Sequence, residues 1–379
     1  MKKSLLALAA MGAFAGAAHA QSSVTVYGIA DVGYNNTTVD STTTAGVKTT
    51  NNLNSTGKYS NYTSSRLGVR GVEDLGQGLR AAFNIEYGFA ANNDLASAAQ
   101  TGASITSGTD NAAPITLRQF NVGLSGGFGS LTIGRQTPVV EAAWGAGDVG
   151  GSNNFIGRAY TFAPQVNTNP ATTTYSASKQ NNSRSDRLVS YSTPTMSGFG
   201  ATVQYGQGEN EAYTTNDKET EIGASLSYSA GPAQVVLGYS SIKRTLNGGD
   251  ITNGQLTQMV LGANYDFKIA KAFLTLSKGN NKTSAGVTNN ERDIYELGVS
   301  VPVGALVLNA SALTGTFTPG ENQTKGNAVG MQLGVLYNLS KRTMAYGVYG
   351  QDKISGLATT DVLDTVDRKN FGIGVRHTF

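Results

Sequence analysis

Alternation of apolar and polar residues at period two runs along most of the chain. In residues 79–88, Leu79, Ala81, Phe83, Ile85 and Tyr87 alternate with Arg80, Ala82, Asn84 and Glu86. Near the end, Phe371, Ile373, Val375, His377 and Phe379 alternate with Gly372, Gly374, Arg376 and Thr378. Successive strand side chains point to opposite faces, so each such segment has one apolar and one polar face. One segment of this kind also suits a soluble sandwich; the number and length of the segments say more. The pattern predicts sixteen strands, near 23–34, 64–72, 79–90, 115–125, 130–137, 184–193, 199–208, 218–229, 233–243, 256–266, 271–281, 291–301, 304–316, 326–338, 343–353 and 369–379. Most have about the 9–11 residues that a tilted strand needs to cross a bilayer. An even strand number places both chain ends on one side of a closed barrel.

The connections support the same reading. Short ones (73–78, 126–129, 194–198, 230–232, 267–270, 302–303, 339–342) alternate with long ones (35–63, 91–114, 138–183, 209–217, 244–255, 282–290, 317–325, 354–368). Membrane barrels have short turns at one rim and long loops at the other, whereas a soluble sandwich has no reason to sort loop length by end. The prolines, from Pro114 to Pro319, fall in the predicted connections or at strand ends. Inside a paired strand each would remove a ladder hydrogen bond, and a closed barrel has no free edge to hide the loss.

Composition narrows the picture. Lys2 and Lys3, the apolar run 5–18 and Ala18-His19-Ala20 predict a signal peptide over 1–20 that is cleaved before Gln21, leaving 21–379 as one barrel domain. The rest of the chain has no stretch apolar enough for a transmembrane helix, and a closed barrel is the other way to satisfy every backbone group in lipid. Cysteine is absent, so disulfides do not hold an exported chain of this kind together. A formal net charge of +3, two units of it from the signal lysines, is too small to point to nucleic acid.

Several segments, taken together, resemble the general diffusion porins of Gram-negative outer membranes, especially the beta-proteobacterial branch. They are 22–31 (SSVTVYGIAD), 65–76 (SRLGVRGVEDLG), 123–129 (GLSGGFG), 133–138 (IGRQTP), 339–343 (LSKRT) and 374–379 (GVRHTF). The resemblance implies an all-β fold, a transmembrane antiparallel 16-stranded β-barrel with an inward-folded third outer loop, assembled as a homotrimer among outer-membrane lipid and lipopolysaccharide. It also implies that the C-terminal aromatic, Phe379, is read by the barrel-assembly machinery. No cofactor and no metal are implied, and the function is passive diffusion of ions and small hydrophilic solutes.

The function of such a channel lies in the width and charge of its narrowest point. Loop 138–183 is the candidate constriction loop; Glu141 and Asp148 are its carboxylates, Arg158 and Lys179 its cations. The resemblance places Arg66, Arg118 and Arg184 on the facing wall, with Arg70 and Arg135 as further candidates. Arginine suits the role because its charge persists when like charges crowd it. Alternation from Leu67 and Val69 turns Arg66 and Arg70 to the polar face, and alternation from Val189 and Tyr191 turns Arg184 there too, along with Leu188. Arg118 and Arg135 fall in phase with apolar residues, so each needs a bulge or a strand that has left the membrane. Any of these charges is otherwise a plain solvated wall residue. The excess of wall arginines over loop carboxylates predicts a mild preference for anions.

Three other functions fit such a chain less well. A barrel enzyme needs a nucleophile and a base, but after the signal the one histidine is His377, on the apolar phase, where it reads as an interface residue. Residues 129–136 loosely echo a phosphate loop but read as a strand, with arginine in place of lysine. A substrate-specific channel, for sugar or anion, would need a continuous lumen track, and Tyr27 alone does not make one. A soluble adhesive β-protein would appear in the soluble fraction.

Overall fold

The computed structural model describes residues 22–59, 61–89, 115–151, 153–159, 184–210, 217–245, 254–283, 288–318, 324–356 and 364–379. The predicted signal peptide and Lys179 lie outside these residues. The strands are β1 Ser23–Thr42, β2 Lys48–Tyr59, β3 Ser65–Gly76, β4 Leu79–Phe89, β5 Ile115–Gly126, β6 Gly129–Gln136, β7 Ser185–Ser192, β8 Phe199–Asn210 and β9 Asp217–Ala230. They continue as β10 Ala233–Thr245, β11 Gly254–Asp266, β12 Lys271–Thr283, β13 Thr288–Val303, β14 Leu306–Thr318, β15 Gly326–Asn338, β16 Thr343–Ser355 and β17 Thr365–Thr378. One helix, α1 Val140–Gly147, follows β6.

From β3 to β17 each strand pairs antiparallel with the next. The sheet closes where β1 pairs with β17 on one side, Ile29↔Thr378 to Thr42↔Thr365, and with β3 on the other, Ser23↔Val72 to Ile29↔Arg66. The result is a closed sixteen-stranded antiparallel barrel in which β2 is an addition to the wall strands. Closure pairs every internal ladder and leaves no raw edge, which a bilayer would penalise heavily.

One expected loop takes another form. The segment 35–63 continues β1 to Thr42, turns at 43–47 and returns as β2, which pairs with β1 from Thr42↔Lys48 to Val32↔Tyr59. The turn is closed by Thr43 N donating to Val47 O (2.9 Å) and needs Gly46 at φ +79°. Polar side chains hold the hairpin: Thr38 Oγ1 donates to Asn52 Oδ1 (2.8 Å), Thr50 Oγ1 to Asp40 Oδ1 (2.7 Å), and Asn36 bonds Asn54. It lacks an apolar face of membrane length, and that is why alternation of hydrophobicity does not reveal it.

Along the wall the two phases separate cleanly. Val203, Tyr205, Tyr239, Met259, Leu276, Leu297, Leu333 and Phe371 belong to one phase and are exposed. They form the apolar belt. The opposite phase holds buried Asp31, Glu86, Gln204, Gln258, Thr275, Glu296, Gln332 and Asp352. Tyr27, in this phase, donates to Asn84 and Glu86. The buried apolar core also lies on this polar face: Val236, Val260, Ile294, Leu313 and Ile354 cluster with Val140, Ala143 and Trp144 of α1. Thus α1 lies across β10 and β11. The approach is so close that a Cβ on Gly262 would stand 1.7 Å from the Ala143 carbonyl oxygen.

Candidate functional site

The strand β6 ends at Gln136, and the chain leaves the wall along 137–159 without losing contact with its polar face. Wall amides hold its backbone one after another. Gln204 Oε1 accepts from Val139 N (2.8 Å) while its Nε2 donates to Thr137 O (3.1 Å). Asn264 Nδ2 donates to Ala146 O (2.8 Å), and Gln332 Nε2 to Ile156 O (3.0 Å). Glu296 Oε2 accepts from Ala159 N (2.7 Å), and Asp352, itself held by both Nε and Nη2 of Arg368 at 2.7 Å, accepts from Gly157 N. Segment 61–63 closes the far side. Tyr62 donates through its hydroxyl to Gly150 O (2.9 Å), accepts at its carbonyl from Asn154 N (2.7 Å), and packs its ring between Phe155 and Tyr346. Burial pushes the Tyr62 phenol up to about 12. In turn Asp31 accepts from the backbone of Tyr62 and Thr63 and from the Tyr346 hydroxyl, which fixes 61–63 to β1 and β16.

Beside this segment is a cavity of about 600 Å³, whose lining includes Arg66, Arg118, Arg184, Glu141, Thr63 and Gln204. Four of the seven residues singled out for the constriction therefore meet around one space. Arg118 reaches it through a bulge: Glu86 pairs with Gln119 and Tyr87 with Leu117, which leaves Arg118 as the extra residue. Its Nε donates to Glu86 Oε1 at 2.6 Å, and Arg66 lies 3.9 Å from the same oxygen. Glu86 is 3 % exposed, a wall carboxylate behind the arginines. The sequence shows it in the polar phase of 79–88, but only the β4–β5 register reveals its partner.

The other three are elsewhere. Asp148 is buried and pairs with Arg158 ten residues on, whose guanidinium also donates to the carbonyls of Asn153 and Phe155. That pair braces the segment internally. Arg70 lies over the Tyr27 ring at 5.2 Å, on β3 toward the 76–78 turn. Arg135 pairs with Asp186 at 2.7 Å and donates to Leu117 O at 2.8 Å, next to a register shift between β6 and β7. Leu188, on the polar phase as alternation from Val189 requires, is fully buried against Gly206. On the last strand, Phe379 exchanges backbone hydrogen bonds with Gly28 (3.1 and 3.2 Å), and His377 is exposed, with Nδ1 2.9 Å from Thr343 Oγ1.

Comparison with known proteins agrees with the barrel. A family model described as Gram-negative porin matches residues 7–357. The chain is 30 % identical to an outer membrane porin protein of Bordetella pertussis over the full length of both, and 32 % identical to outer membrane porin protein 32 of Delftia acidovorans, covering 92 % of this chain and 88 % of that one. An anion-selective porin from Comamonas acidovorans has a similar structure, with TM-score 0.66 and 26 % identity over 95 % of this chain and 100 % of that chain. Both the sequence match over most of its length and the closed sixteen-stranded wall place this chain in the Gram-negative porin family, as an outer-membrane channel for small hydrophilic solutes.

Proposed function

We propose that the polar face encloses the lumen, that segment 138–159 folds into it as the constriction, and that permeating ions pass between Glu141 on this segment and Arg66, Arg118 and Arg184 on the wall. The observation that carries this reading is the single cavity that all four line. Opposed charges across a narrow, low-dielectric gap produce a transverse field that orders water and favours ions over apolar solutes of equal size. The lining holds three guanidiniums and one carboxylate, with Glu86 a second carboxylate bonded to Arg118. The remaining positive excess favours anions mildly, in line with the similar porin from Comamonas acidovorans, which is anion-selective. Arg70 acts on β3 toward the 76–78 turn, over Tyr27, and Arg135 acts beside the constriction, paired with Asp186.

The test is the reversal potential across a potassium chloride gradient in a planar bilayer. Wild-type protein is expected to prefer chloride, and Arg66→Ser, Arg118→Ser and Arg184→Ser are each expected to lower the chloride-to-potassium permeability ratio by roughly two- to threefold. Clear potassium preference in the wild type would overturn the assignment.

The remaining expectations belong to the same reading. Residues 1–20 serve as the cleaved signal and 21–379 as the channel. The channel works without a cofactor and carries no catalytic centre. Three copies assemble through the outer face of β1 and its neighbours, where Ala30 and Val32 are exposed and a dent of about 480 Å³ is lined by Val24, Val72, Phe83 and Leu124. Phe379 is the residue that the assembly machinery reads. Cross-linking in outer membranes that yields only monomers would refute the trimer.

A further inference from the structure

A second recess on the polar face, of about 340 Å³, lies next to the constriction and shares Arg184 with it. Its lining includes Arg135, Arg184, Arg187, Asp186, Glu219 and Glu221. Three features of the fold build it. The first is the irregularity between β6 and β7, where Gly134 pairs with Leu188 and Gln136 with Ser185, so that Asp186 and Arg187 oppose the single residue Arg135. The second is the backbone of Arg187, at φ +58°, a region that non-glycine residues rarely enter and that clusters at functional positions. Alternation from Val189 would send residue 187 into the apolar belt. The left-handed turn sends it to the polar face instead, where its Nη1 lies 1.8 Å from the position a Cβ on Gly208 would take.

The third feature is the floor. On β8 the polar-face residues here are Gly206 and Gly208, which pair with Glu221 and Glu219 of β9. Because neither glycine has a side chain, Arg187 of β7 and the carboxylates of β9 face each other across bare backbone. Among the described residues Arg187 makes no ion pair or side-chain hydrogen bond, although it is exposed and lies on that floor. Arg135 is already matched by Asp186 at 2.7 Å.

We propose that this recess is a binding site for small zwitterions, solutes carrying a carboxylate and an ammonium a few ångströms apart. The Arg187 and Arg184 guanidiniums take the carboxylate, with the paired donor geometry that arginine offers, and Glu219 and Glu221 take the ammonium. The balance of charge separates this from a plain anion site: three arginines stand with three carboxylates, so a simple anion gains little net attraction, whereas a molecule with both charges satisfies both walls. The volume suits a solute of amino-acid size. A solute released from the recess meets Arg184 next, at the edge of the constriction. The proposal rests on the reading of the polar face as the lumen.

The experiment is current block in planar bilayers under potassium chloride, with β-alanine as the zwitterion and propionate and propylammonium as singly charged controls of similar size. Block by β-alanine is expected to saturate and to exceed block by either control at least threefold. It is expected to fall at least threefold in Arg187→Gln and in the double variant Glu219→Gln/Glu221→Gln. Gly208→Ala, which fills the floor, should act the same way without removing a charge. Equal block by propionate and β-alanine would identify an anion site and overturn the proposal, as would no block in wild-type channels that conduct normally. Failure of the lumen reading itself would show differently, as charge substitutions at Arg66, Arg118 and Arg184 that leave ion preference unmoved.

Discussion

Glu86 shows how one side chain sets the charge of a site. Its carboxylate accepts from Arg118 at 2.6 Å and lies 3.9 Å from Arg66, so it offsets part of the positive field that the three arginines produce. Glu86→Gln is expected to raise the chloride-to-potassium permeability ratio by roughly twofold, read from the reversal potential. Gly262→Val is expected to act on packing: its Cβ would meet the Ala143 carbonyl oxygen, and overfilling of this kind costs about 1–3 kcal/mol. The measurable consequences are a lower melting temperature in detergent and more frequent brief closures in single-channel records. At this scale alternation was a good guide only where it is unbroken. Arg66 follows from Leu67 and Val69 because β3 is regular there. For Arg118 alternation signals a conflict whose resolution, the bulge opposite Glu86 and Tyr87, requires the partner strand. Arg187 was hidden because alternation assigns it to the belt and only its backbone turn reverses that. The pairing of Asp148 with Arg158 was not legible because nothing in a loop sequence says that two opposite charges ten residues apart will meet.

Among the elements, the segment after β6 and the β1–β2 hairpin differ in how they are held. The segment is fixed by a succession of wall side chains, each hydrogen bond contributing about 1 kcal/mol. Tyr62 is the attachment with a titration. Its phenol ordinarily ionises near 10, and burial raises this to about 12. A folded value above the unfolded one means that the neutral phenol's contribution is fully present below pH 10 and is lost as pH rises through 12, when the donor to Gly150 O disappears. Current noise is therefore expected to increase between pH 10 and 12, and Tyr62→Phe is expected to be noisy at neutral pH with no further rise across that window. The hairpin, by contrast, lies outside the sixteen wall strands, with β2 paired along Val32–Thr42 of β1. Replacing 43–56 with a short turn is expected to leave conductance within about 20 % of wild type, since β1 keeps β17 and β3 as partners. Strand number and position were legible because lipid demands an apolar face of fixed length. The hairpin was not, because water sets no such demand and Asn–Thr ladders resemble loop sequence.

For the whole molecule, closure joins residues 29–42 to 365–378. Without cysteine, the hydrogen-bonded cylinder itself is what resists unfolding. Removing Phe379 takes away the two backbone bonds to Gly28 and the ring that covers this glycine, and is expected to lower the amount of protein recovered from outer membranes several-fold while the channels that do form conduct as before. Recovery equal to wild type would argue against a role for this residue in assembly. The long reach of the seam has one more effect. A contact between such distant parts of a chain is slow to find, and until the last strand arrives the first one has nothing to zip against along half its backbone. Synthesis and sealing are thus separated in time. Until that contact forms the newborn polypeptide is unsealed and sticky, and this topology is expected to depend on a partner that shields its apolar ribbons.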